Sequence, residues 1–284
     1  MLDVCVVGSA NLDLVAFTSS LPRPGQTVLG SDFAEHAGGK GLNQAIAAAR
    51  AGARTAFVGA VGDDDAGRRL LAELEAAGVD VSATMSADAP TGRALIAVDA
   101  GGENSIVVVP GANGSLRVSA LPPSRVVLVQ LEIPLAAVVA SLDLARAAGA
   151  ITILNPAPAP AADLDVALTA DYVVPNESEA AALGGVDALL AAGAGVVITT
   201  EGTTGAFVAT LDGAWRQAPF AVEPVDTTGA GDAFCGALAA RIAMGDDLTC
   251  AVSYAAAAGA LATTKHGAVP SLPDVAAIDA LLGA

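Results

Sequence analysis

The residues most able to do chemistry lie in one segment, residues 225–234, which reads VDTTGAGDAF. Apolar residues recur at helical spacing from Phe234 to Ile242, so residues 229–231 should lie where a loop becomes a helix. Unpaired backbone N–H groups and the positive end of the helix dipole bind anions at such a point. A carboxylate there, Asp232, could take a proton from a hydroxyl while the N–H groups hold a phosphoryl group.

A purely structural explanation of these residues is also open. Asp232 could be only a first-turn acid that the helix dipole favours, and the glycines could only form a turn. The flanking residues and the other motifs favour the chemical interpretation.

A second glycine-rich segment, residues 38–43 (GGKGLN), opens another predicted helix. It is not a P-loop, because Lys40 is followed by Gly41 and not by Ser or Thr. The first strand runs into residues 8–11 (GSAN), which lack the GxGxxG pattern of dinucleotide-binding folds. Backbone exposed by glycines, with Asn43 one turn inside the helix, suits a polyhydroxylated ligand.

Three polar residues that follow or begin predicted strands could bind hydroxyl groups. Asn11 and Asp13 are two residues apart, so in an extended segment they point to the same side and suit a vicinal diol. An Asx turn explains the same pair. Glu132 follows the strand predicted at 126–130, where a carboxylate could reach a ligand or could be an ordinary loop acid.

Two further segments could bind a nucleotide. Residues 176–179 (NESE) predict a capping box, with Asn176 as the cap and Glu179 at the third helical position. A carboxylate at that position could also organise a hydrated magnesium ion near phosphates. Residues 199–205 (TTEGTTG) supply hydroxyls and N–H groups at a strand end, which fit nucleotide phosphates.

The elements that must position these residues alternate along the chain. Short apolar runs predict strands at residues 4–8, 55–59, 126–130, 151–155, 172–175 and 196–200. Alanine-rich stretches predict helices at residues 42–51, 66–77, 135–148, 231–243 and 248–264. This pattern predicts an α/β fold with a mainly parallel central sheet and helices on both faces. Such a sheet binds ligands at the carboxyl ends of its strands.

Two segments, residues 11–37 and 91–109, interrupt this alternation with short strands and no helix. The strands are predicted at residues 12–18, 27–29, 94–98 and 105–109. We predict a small separate sheet that packs over one edge of the main domain as a lid or dimer contact. Extra edge hairpins are the alternative.

The composition excludes several classes of protein. The 284 residues carry a formal net charge of −17 and no cluster of Lys or Arg, so we expect no nucleic-acid partner. No run of about 20 strongly apolar residues occurs, so we expect no membrane span. Residues 1–4 (MLDV) have neither a basic region nor a long apolar segment, so we expect no signal peptide and a cytoplasmic location.

The cysteines and histidines do not form a recognisable metal or disulfide pattern. Cys5, Cys235 and Cys250 are far apart in sequence and odd in number, so we expect buried, reduced thiols. The two histidines, His36 and His266, lack the spacing of a zinc site.

Taken together, the motifs resemble those of the ribokinase-like, phosphofructokinase-B type family of carbohydrate kinases. Residues 38–45 (GGKGLNQA) and 226–232 (DTTGAGD) are similar to the two signatures of that family. Shorter stretches are similar to its ribose-specific members: residues 8–13, 22–25, 102–104, 110–113 and 155–159. The resemblance covers nearly the whole chain. It implies a single kinase domain over residues 1–284, a three-layer sandwich with a β-sheet lid.

The resemblance implies ATP-dependent phosphorylation of a sugar's primary hydroxyl, most specifically the 5-hydroxyl of D-ribose. Asp232 would be the general base. The anion hole would be formed by the amides of Gly229, Ala230 and Gly231. The implied sugar-binding residues are Asn11, Asp13, Gly39, Lys40, Gly41, Asn43 and Glu132.

The resemblance also implies nucleotide and cation sites. The ATP contacts would be Asn176, Thr200, Gly202, Gly205 and Gly231. Ala256 would lie beside the adenine, where the family often has His or Asn, so that polar contact is absent or made otherwise. Glu179 would act on Mg²⁺ through water. A monovalent cation, usually K⁺, would bind beside the anion hole at Asp226, Thr228, Ala262, Lys265, Gly267 and Ser271.

Several alternatives stay open from the sequence. The enzyme could be a sibling kinase for another sugar, a sugar acid, a phosphosugar or a nucleoside, and Arg93 in a lid strand could favour an acidic acceptor. Arg93 could also simply face solvent. The lid segments offer only Phe17 and Phe33 for stacking, which disfavours a nucleoside. A non-catalytic sugar-binding regulator is the other class, which the intact Asp232 disfavours. Homodimerisation through the lid is expected from the resemblance.

Overall fold

The computed structural model describes residues 1–159 and 170–283. Its strands are β1 (Leu2–Val7), β2 (Asn11–Thr18), β3 (Gly30–Gly38), β4 (Thr55–Val58), β5 (Ala60–Gly62), β6 (Met85–Ala87), β7 (Gly92–Val98), β8 (Asn104–Val109), β9 (Ser124–Gln130), β10 (Ile151–Asn155), β11 (Tyr172–Val173), β12 (Val196–Thr200), β13 (Ala206–Thr210) and β14 (Gly213–Gln217). Its α-helices are α1 (Lys40–Arg50), α2 (Asp65–Ala76), α3 (Leu135–Ala147), α4 (Glu177–Ala182), α5 (Val186–Ala191), α6 (Ala230–Met244), α7 (Leu248–Ala262), α8 (Ala268–Ser271) and α9 (Val275–Leu282).

The central sheet has eight strands in the order β14-β13-β12-β11-β10-β9-β1-β4. The pairs from β4 to β12 are parallel, whereas β13 pairs antiparallel with both β12 and the edge strand β14. Because helices cover both faces, the inner strands read as continuous apolar runs instead of alternating patterns. The predicted α/β class with a mainly parallel sheet is confirmed.

Strand β1 shows how the sheet separates two helix layers. Val4 and Val6 belong to the core that contains α1, α6 and α7, whereas Cys5 and Val7 belong to the core that contains α3 and α5. All four side chains are completely buried. Successive residues of a strand point to opposite faces, so one strand serves both cores.

A second sheet has four strands in the order β3-β2-β7-β8. The strand predicted at residues 27–29 is wrong, because those residues form no strand and β3 begins at Gly30. The sequence of β3, GSDFAEHAG, contains no β-branched residue, so its local preference for a strand is weak. Its antiparallel pairing with β2, from Asn11↔Gly38 to Thr18↔Gly30, determines where the strand lies.

The helices predicted along the chain correspond to α1, α2, α3, α6 and α7. The start of α4 was predicted from the capping box at residues 176–179, and the structure has that box. The sequence analysis did not identify β5, β6, the β13–β14 hairpin or the short helices α5, α8 and α9. Burial raises the pKa of the Cys5 thiol to about 12, and Cys235 is buried as well. Cys250 is exposed in the first turn of α7, contrary to the expectation of buried thiols. None of the helices in the described ranges is long and apolar enough to span a bilayer.

Candidate active site

The N-termini of α1 and α6 meet at the carboxyl ends of β1 and β9. Helix α6 begins after Gly229, whose φ of 80° lies in the left-handed region that glycine adopts readily. Helix α1 begins after Gly39, whose φ is 91°. A Cβ atom at Gly39 would lie 2.8 Å from the backbone nitrogen of Asn11, so the close approach of this turn to β2 also requires glycine. Glycine-rich loops therefore bring two helix N-termini to one place.

Asp232, the predicted general base, lies in the first turn of α6 and is only 7% exposed. Asn43 Nδ2 donates a hydrogen bond to its Oδ2 at 2.9 Å. Gln44 Nε2 donates to its Oδ1, also at 2.9 Å. Both donors belong to α1, so the two sequence signatures form a single cluster. Sequence reasoning assigned a role to Asn43 but missed Gln44, although Gln44 follows it in the same signature.

Glu132 ties the start of α1 to the end of β9. Its Oε2 accepts hydrogen bonds from Ser9 Oγ at 2.5 Å and from the Lys40 backbone N–H at 3.0 Å. Gly41 packs directly on the chain before β2, since a Cβ at Gly41 would lie 2.6 Å from the Gly8 carbonyl carbon. The segment 38–43 is thus held against the sheet by one carboxylate and by glycine contacts.

The Lys40 side chain lies among several carboxylates. Burial lowers the pKa of Lys40, but the charges of Asp232, Glu132 and Glu179 outweigh burial and raise it above its ordinary value. Lys40 therefore stays protonated and partly balances the negative charge of the site.

Asp13 reaches the same cluster from the small sheet. Burial, followed by the charges of Glu132 and Asp232, raises the pKa of Asp13 to about 7. Its strand neighbours are His36 of β3 and Ala94 of β7. The small sheet therefore contributes a carboxyl group that changes charge near neutral pH.

Asn11 is fixed by a residue that sequence reasoning did not assign. Asn113 Nδ2 donates to Asn11 Oδ1 at 2.8 Å, and Asn113 Oδ1 accepts from the Ala10 N–H at 3.0 Å. Both asparagines are almost fully buried. The Asn11 amide therefore has one orientation, with its Nδ2 available as a donor.

Of the residues predicted to bind ATP, Gly231 lies in the first turn of α6, and the others lie after β11 or at and after the end of β12. Asn176 and Glu179 form the predicted capping box: Asn176 Oδ1 accepts from Glu179 N at 2.8 Å, and Glu179 Oε2 accepts from Asn176 N at 2.9 Å. Burial raises the pKa of Glu179, and the Asn176 N–H and Lys40 only partly offset this effect. Thr200 bridges to Asn176 across the strand ends.

The loop after β12 has an unusual backbone. Gly202, the first residue of a short 3-10 turn, and Gly205, which directly follows that turn, both adopt positive φ angles, 55° and 98°. A Cβ at Gly205 would collide with the Gln217 carbonyl oxygen. This loop therefore needs glycine at Gly205 to approach β14 closely.

Three of the residues predicted to bind potassium, Asp226, Thr228 and Gly267, are in contact just before α6. Asp226 Oδ1 accepts from the Thr228 N–H and Asp226 Oδ2 from the Gly267 N–H, both at 2.9 Å. Burial acts to raise the pKa of Asp226, but these hydrogen bonds lower it below its ordinary value. Ala262 ends α7, Lys265 follows in the next loop, and Ser271 ends α8. Asp226 thus ties the 226–232 segment to the loop that precedes α8.

Two residues lie apart from the carboxylate cluster. Arg93 Nη2 lies 4.0 Å from Asp64 Oδ2, so Arg93 pairs with the residue that caps α2. Ala256 lies in the middle of α7 and is partly buried.

A surface cleft of about 440 Å³ lies between the C-terminal part of α6, α7 and α9, and no predicted site residue lines it.

Comparison with known proteins identifies the family of this chain. The model of the family described as pfkB family carbohydrate kinase matches residues 1–275. The chain therefore belongs to the pfkB family of carbohydrate kinases, which are phosphotransferases that act on an alcohol group.

The chain is similar to two curated relatives. It is 37% identical to the ribokinase of Bacillus subtilis, over 99% of this chain and 100% of that protein. It is 38% identical to a bifunctional ribokinase/ribose-5-phosphate isomerase A of Fructilactobacillus sanfranciscensis, over 98% of this chain but only 56% of that protein.

Two solved structures have closely similar folds. The ribokinase of Thermotoga maritima superposes with a TM-score of 0.92 at 32% identity, over the full length of both chains. The ribokinase of Arabidopsis thaliana, solved with ribose and ATP, superposes with a TM-score of 0.89 at 30% identity, over 98% of each chain.

Proposed function

We propose that this enzyme transfers the γ-phosphoryl group of ATP to the 5-hydroxyl of D-ribose and releases ribose 5-phosphate and ADP. The observation that carries the proposal is the buried Asp232 carboxylate at the start of α6, which accepts hydrogen bonds from the side-chain amides of Asn43 and Gln44. The names of its relatives and the ribose and ATP bound to the Arabidopsis ribokinase support the choice of substrates.

In the proposed reaction, Asp232 accepts the proton of the sugar hydroxyl as its oxygen attacks the γ-phosphorus. The bond from that phosphorus to the β–γ bridging oxygen breaks, and ADP leaves. A carboxylate in this role contributes about 10²–10⁴ in rate.

The proposed anion hole is formed by the N–H groups of Gly229, Ala230 and Gly231. The Ala230 N–H donates to Thr227 O at 3.2 Å, a long bond for which a phosphoryl oxygen could compete. A Cβ added at Gly231 would meet no described atom within 4 Å, so the space beside this glycine is open to a ligand. Main-chain donors at a helix start favour the charge that develops on the transferred group.

The sugar is proposed to bind between the small sheet and α1. The Asn43 Oδ1 atom is buried and has no hydrogen-bond partner among the described residues, so a sugar hydroxyl would satisfy it. Asn11 offers a donor, and Asp13 and Glu132 offer acceptors. The proposed contacts are completed by Gly39, Lys40 and Gly41. This mixture of donors and acceptors suits adjacent hydroxyl groups.

ATP is proposed to bind along the loops after β11 and β12, at Asn176, Thr200, Gly202, Gly205 and Gly231, with its adenine beside Ala256.

The free thiols of Cys5 and Cys235 and the use of ATP fit a cytoplasmic enzyme.

Magnesium would be held through water by Glu179. Its Oε2 is used by the capping box, while no hydrogen bond to its Oε1 occurs within residues 1–159 and 170–283, and hard oxygen ligands are what Mg²⁺ prefers. When bound, Mg²⁺ neutralises phosphate charge.

Potassium would bind at the loop between Asp226 and Ser271. The proposed ligands are the oxygens of Asp226, Thr228, Ala262, Lys265, Gly267 and Ser271. Asp226 stays ionised because its pKa is lowered, so it suits a cation. The cation would hold the loop that carries Gly229 in position.

We propose that residues 1–284 form one kinase domain whose small sheet is both a lid and a dimer contact. By strand register, Phe33, Leu95 and Val107 lie on the same face of that sheet, opposite the face that carries Asp13. Their exposures are 58%, 47% and 57%. A contiguous apolar face of this kind is typical of a protein interface.

The substrate is tested by measuring ADP release with D-ribose, 2-deoxy-D-ribose, D-fructose, a sugar acid, a phosphosugar and a nucleoside. We expect the highest kcat/KM for D-ribose, with NMR of the product showing phosphate on the 5-oxygen. Turnover of another acceptor without turnover of ribose would instead identify a sibling kinase. Sugar binding without turnover of any acceptor would identify a regulator.

A further inference from the structure

Gln44 is completely buried beside the proposed base, and all of its amide hydrogen-bonding groups are used. Its Nε2 donates to Asp232 Oδ1 at 2.9 Å and to Asn155 Oδ1 at 3.0 Å. Its Oε1 accepts from Gln130 Nε2 at 2.6 Å. A buried amide with two donors and one acceptor engaged has no freedom to rotate without losing hydrogen bonds.

The network continues away from the ligand side. Asn155 Nδ2 donates to the Val174 carbonyl oxygen at 2.8 Å. Gln130 ends β9, Asn155 ends β10, and Val174 directly follows β11. Gln44 therefore connects the carboxylate of α6 to the ends of three adjacent strands of the central sheet.

The hydrogen-bond network runs from Asp232 to the Val174 carbonyl, and these two ends determine which way each side-chain amide between them points its NH₂ group. An ionised Asp232 and the Val174 carbonyl can only accept hydrogen bonds. Asn155 must therefore turn its Nδ2 toward Val174 and its Oδ1 toward Gln44. Reversal of the Gln44 amide would place Oε1 against two oxygens, so the orientation does not depend on how amide atoms are assigned.

We propose that Gln44 is a positioning residue that holds the Asp232 carboxylate in the orientation needed to take the proton of the acceptor. Gln44 itself has no route to a ligand, because it is 0% exposed behind Asn43 and Asp232. The two residues therefore have different roles. Asn43 offers its free Oδ1 to the ligand, whereas Gln44 holds the Asp232 carboxylate from the side away from the ligand. This inference rests on the proposed function, in which Asp232 is the base.

The test compares Gln44→Met with Gln130→Met on the acceptor that the wild-type enzyme phosphorylates best. Methionine is close to glutamine in length, so both variants remove a buried amide from the same network. Only Gln44→Met removes a hydrogen bond that is donated to Asp232. We expect kcat per folded enzyme to fall about 10- to 100-fold for Gln44→Met, as for loss of one hydrogen bond to a charged group. The KM values for sugar and ATP should stay within about threefold of wild type. Gln130→Met keeps both hydrogen bonds that Gln44 donates, so its fall in kcat should be at least about threefold smaller than that of Gln44→Met.

A purely structural role predicts a different result. Both variants would then have lower melting temperatures, with equal and nearly wild-type kcat per folded enzyme, and that result would overturn the proposal. Equal losses in kcat for the two variants would overturn it as well, because Gln130 does not contact Asp232.

A second measurement covers the case in which Gln44→Met does not fold. In a crystal of the wild-type enzyme with sugar and a non-hydrolysable ATP analogue, Gln44 Nε2 should stay within 3.2 Å of Asp232 Oδ1, close to its 2.9 Å here. Separation beyond about 3.5 Å would overturn the proposal. Failure of the proposed function is distinguishable, since a wild-type enzyme inactive on every acceptor is seen before any variant is made.

Discussion

Asn43 donates a hydrogen bond to Asp232 across 189 positions of sequence and joins the two glycine-rich signatures into one site. The contact depends on how closely α1 approaches α6. Gly236, one turn after Asp232, faces α1 and has no side chain to separate the helices. The geometry of the base is therefore determined partly by a residue that cannot touch a ligand.

Substitution of Gly236 by Ala should separate α1 from α6. The new Cβ would lie 2.5 Å from Ala47 Cβ and 2.6 Å from the Gln44 carbonyl oxygen, and a backbone atom cannot rotate away. We expect a loss of about 1–3 kcal/mol in the free energy of unfolding, as for other overpacked cores. We also expect a fall in kcat of at least about tenfold, since both donors to Asp232 move.

The matched control for that variant is Gly114→Ala, whose Cβ would meet only Pro110 Cβ at 3.5 Å. Thermal unfolding and steady-state kinetics measure both effects. Wild-type stability and kcat in Gly236→Ala would show that the helices are not held at this distance.

Much of the fold could be predicted from the sequence, because the parallel strands and long helices carry strong local patterns. The small sheet was harder to delimit. The local sequence predicts a strand at residues 27–29, but the strand is β3, an edge strand whose position is defined by its pairing with β2 and not by its own composition. The hairpin of β13 and β14 was not predicted, because the strands were identified by their alternation with helices. These two strands follow β12 with no α-helix between them and pair in antiparallel fashion.

The site could be predicted where residues stand in glycine-rich loops. Asn43 and Asp232 follow such loops and were singled out. Gln44, Gln130 and Asn113 were not assigned a role, because a single amide side chain in a helix, strand or turn does not reveal its hydrogen-bond partner in the sequence. Their roles follow from contacts between segments about 90–190 residues apart, such as Gln44 with Asp232.

Asp13 should make the stability of the enzyme depend on pH. Its pKa is raised from 3.8 to about 7 in the folded protein, so between these values the folded state binds more protons than the unfolded state. The contribution of Asp13 to stability therefore falls as pH rises through this window. We expect Asp13→Asn to melt higher than wild type at pH 8, by about 2–4 °C for each kcal/mol gained, and the difference to shrink at pH 5.

The same variant should bind sugar more weakly at pH 8, because an asparagine oxygen replaces a carboxylate that accepts from hydroxyls. Scanning calorimetry at several pH values measures the melting temperatures of wild type and Asp13→Asn. Asp88→Asn, a substitution at an exposed position, is the control. A difference in melting temperature that does not change with pH would contradict the account of Asp13.

Activity should rise when K⁺ replaces tetramethylammonium at equal ionic strength. The loop that Asp226 ties to Gly267 is where the cation is proposed to bind. Asp226→Asn would place an amide N–H₂ against a backbone N–H, so we expect this variant to lose most of the stimulation. The ADP-release assay measures both. A wild-type enzyme that responds equally to the two cations has no such site.

The enzyme should be a dimer that a charge on the outer face of the small sheet disrupts. Val107→Lys introduces a charge on an apolar face that a partner would cover, and desolvation of an unpaired charge is costly. We expect the dimer mass for wild type and the monomer mass for the variant in sedimentation at micromolar concentration. Leu211→Lys is the control, because Leu211 is 80% exposed outside this sheet. A monomeric wild type, or a Val107→Lys dimer, would contradict the interface.

The most direct test replaces Asp232 by Asn and measures turnover and binding in the same preparation. The substitution preserves shape but removes the basic oxygen. We predict that kcat with D-ribose and ATP falls by about 10²–10⁴, while calorimetry gives dissociation constants for both ligands within a few-fold of wild type. Near-wild-type turnover by Asp232→Asn would contradict the central claim that this carboxylate takes the proton of the acceptor.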